Sequence, residues 1–245
     1  MQKPVLQRRS AANDSRLMPV AVGLALSLLM SLGLSLGLSP TPALAQNWPT
    51  KPVRIINPYA AGGPTELVAR ELANALSVDL GQQFIVESRP GGGTIIGAEI
   101  VAKANPDGYT LLATTLASVI VQPAINPKLP YNAEKDLIPV GLYSTIPNLI
   151  AVHPSIPVKT VRELIEYAKK EGSKLNYGSA GPGTGPHLAG ELFKRMAGVE
   201  MTHVGYKGAA PAVLDIVAGQ IQVSFLNITP QVPHVKAGKL RALAV

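Results

Sequence analysis

Residues 57–76 read NPYAAGGPTELVARELANAL. The apolar run Val53, Ile55, Ile56 leads into them, two glycines follow, and a helical pattern comes next. Strand, glycine turn and helix in that order is how many proteins hold an anion. It is also how many proteins simply join a strand to a helix. Over Thr65–Ser77, residues Leu67, Val68, Leu72, Ala75 and Leu76 fall at helical spacing, with Glu66, Arg70, Glu71 and Asn74 on the other side. Pro64 suits the first helical position, where an N–H would have no intrahelical partner. Glu66 favours the positive end of the helix dipole. The N–H groups of Thr65 and Glu66 are then available to a carboxylate, and the glycines permit close approach of a ligand to the backbone. Plain helix capping accounts for the same residues.

The scheme recurs along the chain. Strands are expected at Val53–Asn57, Phe84–Glu87, Tyr109–Ala113 and Leu149–Val152, and helices at Thr65–Ser77, Ile96–Lys103 and Val161–Glu171. A second set follows: strands Leu175–Gly178, Met201–Tyr206, Gln222–Phe225 and Leu240–Val245, with helices His187–Ala197, Ala210–Ala218 and Pro230–Lys236. Alternation of this kind predicts α/β layers with mostly parallel sheets, and two sets of about 100 residues predict two lobes. The glycine-rich turn is repeated at Ser179-Ala180-Gly181-Pro182-Gly183-Thr184-Gly185-Pro186-His187, where Ser179 and Thr184 add hydroxyls. Tyr206-Lys207-Gly208-Ala209-Ala210-Pro211 is a third turn of this type, with a cation.

Ahead of the fold, residues 1–16 carry Lys3, Arg8, Arg9 and Arg16 against Asp14, and residues 17–39 are almost purely apolar and small. Thr41-Pro42-Ala43-Leu44-Ala45 closes the stretch. A basic region, an apolar region and an Ala-x-Ala ending predict a secretory signal peptide over 1–45, cleaved before Gln46. An uncleaved membrane anchor is the other reading, since the stretch is long enough to span. With residues 1–45 set aside, 18 Lys/Arg face 14 Asp/Glu, a net charge of +4. No Lys/Arg run or aromatic interleaving accompanies it, so the chain looks unlike a nucleic-acid binder. The sequence has no cysteine, which removes disulfides, thiol catalysis and cysteine-ligated metals. The closing run Leu240-Arg241-Ala242-Leu243-Ala244-Val245 reads as an apolar strand without a following helix, the ending expected of a C-terminally truncated chain.

Enzyme signatures are missing. There is no phosphate-binding Gly-x-x-x-x-Gly-Lys-Ser/Thr run, and Gly91-x-Gly93 followed by Gly97 misses the dinucleotide spacing by one residue. Tyr177-Gly178-Ser179-Ala180-Gly181 resembles a nucleophile elbow without its first glycine. His153, His187, His203 and His234 show no metal-ligand spacing. These observations predict no catalytic residue, no metal and no cofactor.

Beyond these patterns, specific words recur. Trp48-Pro49-Thr50-Lys51-Pro52-Val53-Arg54 and Pro58-Tyr59-Ala60-Ala61-Gly62-Gly63-Pro64-Thr65 are followed by Val86-Glu87-Ser88-Arg89-Pro90-Gly91 and Pro106-Asp107-Gly108-Tyr109-Thr110-Leu111. Later come Leu175-Asn176-Tyr177-Gly178-Ser179-Ala180-Gly181, His187-Leu188-Ala189-Gly190-Glu191-Leu192-Phe193 and Lys236-Ala237-Gly238-Lys239-Leu240-Arg241. Over nearly all of residues 48–245 the chain resembles the periplasmic substrate-binding proteins of tripartite tricarboxylate transporters, the Bug-type receptors. The resemblance implies a two-lobed periplasmic binding protein fold, lobe 1 over 46–147 and lobe 2 over 148–245, hinged around a ligand cleft. It implies a monomeric exported receptor that binds a small carboxylate (a di- or tricarboxylate, an amino acid or an aromatic acid) and delivers it to integral membrane transporter subunits. The ligand contacts it implies are Tyr59, Ala60, Gly62, Gly63, Thr65 and Thr115 in lobe 1, with Ser179, Gly181, Thr184 and His187 in lobe 2. Glu66 stands where the family more often has Asp, and Gly205 replaces the usual Pro before Tyr206-Lys207-Gly208. An α/β hydrolase using Ser179, with a histidine and an acid converging on it, and a non-binding exported scaffold are the other readings.

Overall fold

Val53, Ile55, Ile56 and Asn57 are buried in the first strand, β1 (Val53–Asn57), and only Arg54 faces outward. A strand buried on both faces needs cover on both, which parallel sheets with crossover helices supply. In the computed structural model, which describes residues 47–171 and 174–245, β1 is the central strand of a three-stranded sheet. It pairs in parallel with β2 (Phe84–Ser88) and β3 (Thr110–Leu112). Helix α1 (Pro64–Leu80) connects β1 to β2, and α2 (Ile95–Ala102) connects β2 to β3. Ala69 and Ala73, one turn apart, lie against Val53, Ile55, Phe84 and Val86, so the small side chains let α1 sit close on the sheet. Gly81 ends α1 in the left-handed conformation (φ 68°).

A second sheet has five strands in the order β6-β5-β7-β4-β8. These are β4 (Ile150–Val152), β5 (Asn176–Ser179), β6 (Thr202–Gly205), β7 (Val223–Ser224) and β8 (Arg241–Ala244). Strands β5, β6 and β7 pair in parallel, while β4 runs antiparallel to both β7 and β8. Helices α5 (Val161–Glu171) and α6 (Gly185–Ala197) cover one part of it, around a core of Leu164, Ala168, Tyr177, Val199, Val223 and Phe225. Helices α7 (Ala209–Val217) and α8 (Ile228–Lys236) close the rest over Ala212, Val213, Ile216, Ile221 and Leu226. Buried Gln231 of α8 ties this layer down: its Nε2 donates to the carbonyls of Leu149 and Leu226, and its Oε1 accepts from Ser224.

The two sheets are the two lobes of a periplasmic binding protein fold, and each expected strand and helix is present to within a residue or two of its expected ends, save that α1 runs three residues past Ser77. Between β3 and β4 lie elements that the periodicity does not announce. These are a π-helical turn (Ala117–Val121) and two short helices, α3 (Gln122–Ile125) and α4 (Ala133–Asp136). Pro123 has no N–H to offer the Val119 carbonyl, and Gln122 N–H bonds the Ala117 carbonyl instead, so the helix widens there. The leader and cleavage site expected at 1–45 lie outside the described residues. Among the described residues, no helix is long and apolar enough to cross a membrane.

Packing in the second lobe is tight at Gly190 of α6. A Cβ there would stand 2.3 Å from Cε2 and 2.8 Å from Cζ of Tyr177, whose ring is wholly buried. Overfilling such a site costs about 1–3 kcal/mol. Gly190→Val is therefore expected to destabilise the fold by an amount in that range, read as lower unfolding midpoints in heat and in urea. An unchanged midpoint would show that the Tyr177 ring can move aside.

Candidate functional site

Strand β1 ends at Asn57, and the chain turns through Tyr59–Gly63 into α1. Gly63 is the residue that caps α1, with no side-chain hydrogen bond, and Pro64 takes the first helical position. The same construction stands at the end of β5, where Thr184 caps α6 and Pro186 is its second residue. A helix leaves its first-turn N–H groups without intrahelical partners. Both starts open into one cavity of about 250 Å³. Gly63, Pro64 and Thr65 form one wall and Thr184, Gly185 and Pro186 another. Tyr59, Thr115, Asn148, Asn227 and the first residue of α7, Ala209, complete the polar and backbone lining, with Leu116, Val121, Ile146 and Leu188 as apolar cover. None of the residues lining this cavity is Lys, Arg, Asp or Glu.

Side chains around it are fixed by neighbours. The Tyr59 hydroxyl is 2.7 Å from Thr115 Oγ1, and burial pushes its pKa up to about 12, so it remains an intact hydroxyl. Thr184 Oγ1 donates to the Gly181 carbonyl at 2.7 Å, which leaves its oxygen lone pairs to accept. Asn227 Nδ2 donates to Asn148 Oδ1 at 3.0 Å, joining the chain before β4 to the chain before α8.

Glu66 shapes the α1 start without lining the cavity. Its carboxylate accepts from Gly62 N–H at 2.6 Å and from Arg70 at 2.7 Å and 3.1 Å. Burial acts to raise its pKa, but the Gly62 and Arg70 hydrogen bonds prevail and hold it below the ordinary carboxylate value. The N–H of Gly62 is thereby taken, and that of Ala60 donates to the Lys207 carbonyl at 2.7 Å.

The ten residues implied as ligand contacts thus separate in space. Tyr59, Gly63, Thr65, Thr115 and Thr184 line the cavity, whereas Ala60, Gly62, Ser179, Gly181 and His187 do not. Ser179 is wholly buried and bonds at 2.7 Å to His203 Nε2. A serine–histidine pair therefore exists, but among the described residues no carboxylate bonds to His203, and Ser179 lines neither cavity. Asn148 and Asn227 lack any local sequence signal, because each reaches the cavity from a segment far from the glycine turns, whereas Leu116 and Leu188 adjoin the expected contacts Thr115 and His187.

A second cavity, about 430 Å³, lies beyond Tyr59 and Ala180, which line both. Gly91, Gly93, Asn126, Tyr206 and Lys207 line it. The two lobes meet beside it. Buried Gln122 donates from Nε2 to the Gly93 carbonyl and to the Pro182 carbonyl, both at 2.9 Å. A Cβ on Gly93 would stand 2.4 Å from the Pro182 carbonyl oxygen, so the approach requires glycine there.

This fold has counterparts among known proteins. Protein BugT of Bordetella pertussis is 33% identical over 205 residues, covering 83% of this chain and 63% of that protein. The R. palustris protein Rpa4515, solved with adipate, superposes with a TM-score of 0.78 at 38% identity, covering 80% of this chain and 66% of that one. MatC from Rhodopseudomonas palustris, with bound malate, superposes with a TM-score of 0.75 at 33% identity and the same coverage. The chain spans between 59% and 63% of the length of such curated relatives. Residues 68–245 match the model of the tripartite tricarboxylate transporter family receptor, TctC. The chain belongs to that receptor family.

Proposed function

We propose that the chain is a solute receptor that binds a small carboxylate in the cavity between the starts of α1 and α6. The observation that carries this reading is the convergence of two helix N-termini on a cavity without charged lining, the α6 start with no acid in its first turn. Each helix start carries the equivalent of roughly half a positive charge. Glu66 already answers part of the α1 start, so the α6 start, the N–H of Thr65 and the hydroxyls of Thr65, Thr115 and Thr184 are what remain for a carboxylate. The volume is slightly below the usual ~300–1,000 Å³ of ligand pockets, in keeping with a small solute. Adipate and malate in two related structures support an acid of that size.

On this reading Gly63, Thr65, Thr115, Thr184 and Tyr59 contact the ligand. Ala60, Gly62, Ser179, Gly181 and His187 act from behind by fixing the two loops. Residues 46–147 and 148–245 form the lobes, residues 1–45 direct export to the periplasm, and a monomer hands the solute to membrane transporter subunits without catalysis.

Thermal unfolding with a panel of mono-, di- and tricarboxylates, malate and adipate included, together with amino acids, tests the reading. A ligand at 100 times its Kd stabilises the folded state by about 2.7 kcal/mol. At about 2–4 °C per kcal/mol for a domain of this size, a matching acid is expected to raise Tm by roughly 5–11 °C, and its uncharged amide far less. No shift with any acid, on folded protein, rules the carboxylate reading out.

Thr184→Val removes a hydroxyl that lines the cavity. A hydrogen bond of about 0.5–1.5 kcal/mol corresponds to a loss of affinity of roughly two- to tenfold. Titration calorimetry with the acid giving the largest shift measures it. Unaltered affinity would move the ligand away from the α6 start.

A further inference from the structure

Against the loop Ser179–Thr184, two imidazoles stack with ring centroids 4.2 Å apart and a tilt of 36°. Each holds one end of the loop. His203 Nε2, on β6, is 2.7 Å from Ser179 Oγ, and that oxygen also accepts Gly181 N–H at 3.1 Å. His187 Nδ1, on α6, accepts Gly183 N–H at 3.1 Å. Ala180, between these two anchor points, and Thr184, directly after the second, line the cavity. Neither histidine lines a cavity itself.

We propose that His187 and His203 are positioning residues that hold the Ser179–Thr184 loop in the shape the cavity needs, and that protonating the pair lets the loop go. The role rests on the carboxylate-receptor reading of the cavity. The chemistry is local. An imidazole protonated at Nδ1 cannot accept, so acid removes the His187–Gly183 bond. A second positive ring 4.2 Å away adds repulsion. Groups facing the pair are few: Glu191 and Lys194 on α6, and the Tyr177 ring on β5, 5.0 Å from His203. Burial, and after it the neighbouring His187, hold His203 down to about 4, against the opposing pull of Glu191. Burial likewise lowers His187. Both rings are therefore neutral in the held state and regain an ordinary pKa near 6.5 when released. The hold is complete above pH 6.5 and weakens as pH falls toward 4, because the released state binds the extra protons.

Amide hydrogen exchange on the ligand-free chain reads the hold directly. Between pH 7 and pH 5 the protection of Gly183 N–H, corrected for intrinsic exchange, is expected to fall by about tenfold or more, since each released imidazole contributes up to a factor of ten per pH unit. The double variant His187→Asn/His203→Gln keeps a polar atom near each contacting ring nitrogen and does not titrate. Its protection is expected to stay within about threefold over the same range. His187→Ala is expected to lose protection at both pH values. Nitrogen-15 spectra of the wild-type rings should show His187 as the Nε2–H tautomer with a bare Nδ1 at pH 7. This measurement and the wild-type pH profile decide the matter even if the double variant does not fold. A pH-independent Gly183 in the wild type, an Nδ1–H tautomer at His187, or a double variant as pH-sensitive as the wild type overturns the proposal. None of these measurements uses a ligand, so failure of the carboxylate reading shows separately, in the melting experiment.

Discussion

One side-chain amide fixes how the two lobes face each other. Gln122 Nε2 has two hydrogens and gives them to two carbonyls, Gly93 in the first lobe's segment and Pro182 in the second's. A primary amide is well suited to this, because its donors diverge from one atom and neither carries charge into a buried place. The backbone bond from Ala60 to Lys207 repeats the link at the other side of Tyr59. With both in place, the helix starts of α1 and α6 confront the same small volume. With either lobe swung away, the two starts would no longer face one cavity.

The Gly62–Glu66 contact shows how a helix start can be divided between structure and binding. An acid three residues after the cap reaches back to the turn, in the manner of a capping box. It uses Gly62 N–H, and Arg70 holds it on the far side. The carboxylate thereby fixes the turn and stays off the cavity wall, leaving the Thr65 and Glu66 N–H groups clear. Glu66 thus has a structural task at the turn.

Much of this was legible in the residues. β1 shows as a near-continuous apolar run because both its faces are covered, and α5 and α6 show through their spacing. The two glycine turns were legible as helix starts for reasons of backbone chemistry alone. What escaped was set by long-range contact. Asn148 and Asn227 meet across 79 positions, and Gln122 reaches Pro182 across 60. No local pattern marks a residue whose partner is so distant. The π-helical turn escaped because Pro123 reads locally as a helix end, whereas the chain continues by widening. His187 was legible as a polar residue near a candidate site, but its direction was not. Only the fold turns its ring toward His203.

The cavity's lack of charged side chains has a bearing on the medium in which such a receptor works. Lysine and arginine at a surface attract anions over long distances, and dissolved salt shields that attraction beyond about 8 Å at physiological ionic strength. Backbone N–H groups act only at contact, inside the space that small ions are excluded from once a ligand fills it. A site built from them gains little from distant steering. On the proposed reading, occupancy of such a site would depend less on ionic strength than that of a site lined by lysine or arginine.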